Sequence, residues 1–98
     1  MTAADKAAAV DRLRRALLAF RAAQTRFLAA HRQARALASQ DEVERFWATR
    51  GGGIEAAQRA AAREVVAAFQ AFSAAGLVAG AADRHLVNEA QRHLAGGG

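Results

Sequence analysis

Apolar side chains recur through the first third of the chain at alternating steps of three and four. The series is Val10, Leu13, Leu17, Phe20, Gln24, Phe27, His31, Ala34 and Ala38. This is the a/d pattern of a helix that packs one seam against other helices. Gln24 and His31 are the two polar interruptions of that seam. Thr2, followed three residues later by Asp5, supplies an N-cap pair. The pattern predicts a first helix over 3–38, about 54 Å long at the α-helical rise.

The seam does not carry on into the next segment. Extending its register places Asp41 and Arg45 on the apolar line and removes Val43, Phe46 and Trp47 from it. Ser39 and Glu42 form a capping box, which marks a new start. A short second helix over 40–50 is therefore expected after a turn near Ser39. Gly51, Gly52 and Gly53 are expected to end it, because glycine loses the most backbone entropy in a helix. A third helix over 54–75 places Ile54, Ala61, Val65, Ala68, Phe69 and Phe72 on one face, with Gly76 as its C-cap. After a short connection, a fourth helix over 81–95 turns Leu86, Val87, Ala90 and Leu94 inward. Residues 96–98 read as a glycine tail.

The expected fold is all-α: a small bundle of four helices in one domain over 1–95. By the same rise the third and fourth helices are only about 33 and 22 Å long. Neither covers the first. The mismatch suggests a dimer, or a helical partner, meeting the first helix through Leu13, Leu17 and Phe20, with Trp47 as an aromatic anchor.

Composition sharpens this expectation. Hydrophobic residues make up 53% of the chain, but 30 of them are alanine and only 21 are larger apolar side chains beyond Met1. A buried Leu or Phe contributes about 1.5–3 kcal/mol, and an alanine far less. A core this lean requires close approach of the helices, or a partner or ligand that completes the stripe. The chain has no cysteine, which excludes disulfides, thiolate metal sites and a cysteine nucleophile. It has no proline, and 13 arginines stand against one lysine. A GC-rich coding sequence and a de novo designed helical protein both fit this usage. The start, MTAADK, has no apolar signal region, and no apolar run approaches the roughly 20 residues of a membrane span. A cytoplasmic location is expected.

The net charge of +5 is concentrated in the first helix, where Lys6 and seven arginines face only Asp5 and Asp11. Such asymmetry suits an acidic partner, nucleic acid or an anionic surface. On a helical wheel the arginines wrap the exposed side rather than forming one strip. No aromatics are interleaved for base stacking, and a lipid-facing stripe would not carry Gln24 and His31. Nucleic acid and membrane are the weaker expectations.

Among candidate sites, His31 stands first. An imidazole on an apolar seam needs partners for two nitrogens. Gln24 and Glu64 are the candidates for a hydrogen bond within the core. The sharper alternative is a haem or metal site with His31 as ligand, Phe27 and other aromatics lining it, and Gln24 or Glu64 supporting it. His85, Glu89 and His93 have the spacing of metal ligands on a helix, but they fan away from the apolar face, and an ion pair of Glu89 with His93 or Arg92 is expected instead. Arg50 before three glycines resembles an anion-binding start but lacks the Lys and Ser/Thr of a phosphate loop. Ser39 reads as a cap, and Ser73 has no evident His and acid beside it, so no catalytic residue is expected. The leading reading is a non-enzymatic interaction module. A haem- or metal-binding bundle is the alternative, and a basic nucleic-acid-binding protein comes third.

Overall fold

The computed structural model describes residues 2–96. It is all-α, with no strand among the described residues. Helix α1 spans Ala3–Arg35. The Thr2 hydroxyl accepts from the Asp5 N–H at 3.2 Å, and the Asp5 carboxylate accepts from the Thr2 N–H at 3.1 Å. These bonds close the expected capping box. The helix stops short of its expected end, because Ala36 and Leu37 donate to Gln33 and Ala34 in bonds that tighten the last turn. Ser39, in extended backbone, then caps α2 (Gln40–Phe46) by accepting from the Glu42 N–H at 3.2 Å. The Glu42 carboxylate reaches back to the Ala38 N–H at 3.0 Å.

The expected break at the glycines is absent. Helix α2 continues through a π-helical turn, Trp47–Gly51, into α3, Gly52–Ala74. Gly51 and Gly52 both hold helical backbone angles, and the Gly52 N–H bonds the Trp47 carbonyl across five residues. The four expected helices are therefore three helical rods. The physical reason lies at Gly51, which is buried under the Trp47 indole: a Cβ there would fall 1.8 Å from the ring carbon Cε3. The entropy cost of a helical glycine is offset by a tryptophan that packs onto bare backbone.

Helix α3 ends as expected at Gly76, the one described residue with positive φ, at 78°. Leu77 donates to the Phe72 carbonyl and Gly76 to that of Ser73, the paired bonds of a Schellman motif. Helix α4 spans Ala81–Gly96, so Gly96 belongs to a helix. The remainder of the expected glycine tail lies outside the described residues.

The core draws one fully buried large side chain from each rod: Phe20, Val65 and Val87. Leu13, Leu17, Ala68, Phe72 and Ala90 surround them, and Leu86 and Leu94 pack at the edge. Along α1 a ridge of buried alanines, Ala16, Ala23 and Ala30, repeats every seven residues. Side chains this small let α1 lie close on α3, its most extensive neighbour, and that is how the lean composition fills a core. The molecule measures 56 × 21 × 20 Å. By the α-helical rise α4 is about 24 Å long against about 50 Å for α1. One half of the molecule is thus three rods thick, and the other half is a two-rod hairpin.

Candidate functional site

The residues expected around His31 divide between the two halves. His31 lies in the hairpin half and is partly buried. Its ring sits 4.5 Å edge-on to Phe27 and 4.9 Å from Trp47. Phe46 joins them at 5.3 Å from Trp47. Phe27 and Trp47, expected in separate roles, thus come together against the imidazole, with their own rings 6.2 Å apart. Gln24 does not join them. Its amide donates to the Glu89 carboxylate of α4 at 3.1 Å. Glu64 is in the three-rod half, where it accepts two bonds from the Arg12 guanidinium at 2.9 and 3.0 Å. Neither Gln24 nor Glu64 supplies the hydrogen bond expected for His31. Of Gln24, Glu64 and Phe27, only Phe27 shares a site with it. An open hollow of about 440 Å³ lies beside His31, with Ala34, Arg35, Val43 and Trp47 on its walls.

The fork of Arg12 holds the Glu64 carboxyl below its ordinary range, first through the hydrogen bonds and then through the charges of Arg12 and Arg15. Glu64 in turn raises Arg12. On α4, Glu89 pairs with His85 at 2.8 Å, not with His93 or Arg92 as expected. The same carboxylate accepts from the Gln24 amide of α1. Among the described residues no cluster of three His, Asp or Glu side chains could hold a metal ion.

Gln58 went unforeseen. It is 5% exposed, and its Oε1 has no hydrogen-bond partner, as is true of the His93 Nε2. The signal was available: Gln58 stands four residues after Ile54 and seven before Val65, both on the apolar face of α3.

Leu13, Leu17 and Phe20, expected at an interface, are buried in the chain's own core, because α3 packs along the seam. The opening lies beside them. Helices α1 and α4 both pack on α3 but meet each other only sparsely. Between them runs a cleft of about 190 Å³. Its floor is apolar, formed by Val10, Leu13 and Leu17 of α1, Phe72 of α3 and Leu86 of α4. Leu18, Arg14 and Arg21 line the α1 side, and Asp83 lines the α4 side. Leu18 is 61% exposed. It lies one residue, or about 100°, off the heptad seam, which is why the seam pattern did not include it.

A scan against protein-family models finds no match, and neither curated proteins nor solved structures give one. Among the described residues no helix is long and apolar enough to cross a membrane.

Proposed function

We propose that this chain is a non-enzymatic helix-binding module that associates along α1 with a helix of another protein or of a second copy. The observation that carries the reading is the α1–α4 cleft. Three helices leave the fourth position of a bundle open, and here that position has an apolar floor and an exposed leucine on its rim. An amphipathic helix laid in such a groove buries leucine-sized side chains against residues already held in place by the core. Leu13 and Leu17 then contribute from the floor of the cleft, while Phe20 supports them from beneath.

Native mass spectrometry of the purified chain with a leucine-rich amphipathic peptide tests this. A 1:1 complex or a dimer is expected for the wild type. Leu18→Glu is expected to give the bare monomer with an unchanged helical melting curve, since this side chain lies outside the core. A wild type that stays monomeric and takes up no peptide at tens of micromolar, roughly −6 kcal/mol of binding, would overturn the reading.

A further inference from the structure

We propose that the occupant of the α1–α4 cleft is an acidic amphipathic helix of another protein, one that places carboxylates against Arg14 and Arg21. The inference rests on the helix-binding reading and specifies the partner's chemistry.

Two arginines of α1 already have acidic partners. Arg12 is held by Glu64, and Arg15 pairs with Asp11 at 3.2 Å. The guanidinium groups of Arg14 and Arg21, the two that line the cleft, have no ion pair or hydrogen bond among the described residues. They stand one heptad apart, about 10.5 Å along the helix, with Leu18 between them on the same face. A helix in the cleft would set its own heptad alongside. Apolar a and d residues would meet Leu17, Leu18 and Leu86, and carboxylates one heptad apart on its flank would meet the two guanidinium groups, as flanking charges do in coiled coils. Asp83 on the opposite wall asks for the reverse sign there, so the two walls fix which flank of the partner faces α1.

The same charges disfavour a second copy presenting its own α1. That helix has Lys6 and seven arginines against two aspartates, and it would bring like charge to Arg14 and Arg21.

The test uses the full chain and three synthetic helical peptides of about three heptads. All have leucine at a and d, with glutamate, glutamine or lysine at the flanking positions. Fluorescence anisotropy is expected to show the glutamate peptide binding about tenfold tighter than the glutamine peptide, with the lysine peptide weakest. The double variant Arg14→Glu with Arg21→Glu is expected to reverse that order, and both positions are exposed enough to leave the melting curve in place. Equal binding of all three peptides would overturn the charge proposal and leave the helix-binding reading standing. Binding of none would overturn both. Preference for phosphatidylglycerol vesicles over the glutamate peptide would overturn the proposal in favour of a lipid surface.

Discussion

The three-rod half and the two-rod half of this molecule are held together differently. In the first, Phe20, Val65 and Val87, one from each rod, lie in one core with no exposure to solvent. In the second, α1 and the α2–α3 rod face each other across alanines, and the larger side chains, Phe27, His31, Phe46 and Trp47, are only partly covered. They are organised instead by ring contacts of 4.5 to 6.2 Å and by one bare glycine. Aromatic pairs of this kind add about 0.5–1.5 kcal/mol beyond their buried area, so the hairpin half has local order without a deep core. In the first half stability comes from volume filled; in the second it comes from geometry fitted.

The strongest way to break this contrast is to truncate one aromatic on each side. Phe20→Ala is expected to cost about 3–5 kcal/mol, a large share of the stability of a domain this size, and to lower the denaturant midpoint of the whole chain. Trp47→Ala removes a half-buried ring and is expected to cost about 1–2 kcal/mol. In that variant, hydrogen exchange should show faster opening confined to the hairpin half. Equal costs for the two changes would erase the distinction.

A finer test lies inside the glycine triplet. An alanine in an exposed helix interior is ordinarily better than glycine by about 1 kcal/mol. Gly53→Ala should follow that rule, since its added Cβ meets nothing within 4 Å. Gly51→Ala should invert it. The new methyl overlaps the indole of Trp47, and overpacking of this sort costs about 1–3 kcal/mol. Urea denaturation followed by tryptophan fluorescence reads both. The opposite signs, two residues apart, are the expected result.

The smallest expected effect is electrostatic and belongs to the three-rod half. Glu64 has an ordinary value of about 4.5 and is held lower in the folded chain by Arg12. Its contribution to stability is therefore fully present above that ordinary value and disappears as pH falls through the lower folded one. The difference in melting temperature between wild type and Glu64→Gln should be constant above about pH 5.5 and close at strongly acidic pH. It should also shrink with added salt, because both partners are about half exposed.

Helical periodicity made much of the fold legible. The faces of α1, α3 and α4, the caps at Thr2 and Ser39, and the turn at Gly76 each follow from local spacing. At the glycine triplet backbone entropy alone predicts a break, and the helix runs through it instead. The compensating residue was four positions earlier, where Trp47 could use the space that a missing Cβ leaves. The alanine ridge was also open to reading, since Ala16, Ala23 and Ala30 repeat every seven residues. The partners of Gln24 and Glu64 were not. Arg12 and Glu64 are separated by 52 positions and Gln24 and Glu89 by 65, and such pairings depend on how rods are offset along their axes. The cleft was hidden for a similar reason. A single helix shows its own stripe, whereas an opening between α1 and α4 depends on the angle at which two helices leave a third.

The π turn has a consequence for direction as well as for stability. It takes in one residue more than the α-helix it interrupts. An added residue advances a helix by only about 1.5 Å but rotates everything after it by about 100°. Val43 and Trp47, before most of the turn, look toward the tip of α1, whereas Val65 and Phe72, after it, look toward the three-rod core. The number of glycines between them acts as an angular setting on a shared axle. Changing that number by one would hardly alter the rod's length, yet it would swing one end's apolar face away from α1 while the other stayed in place.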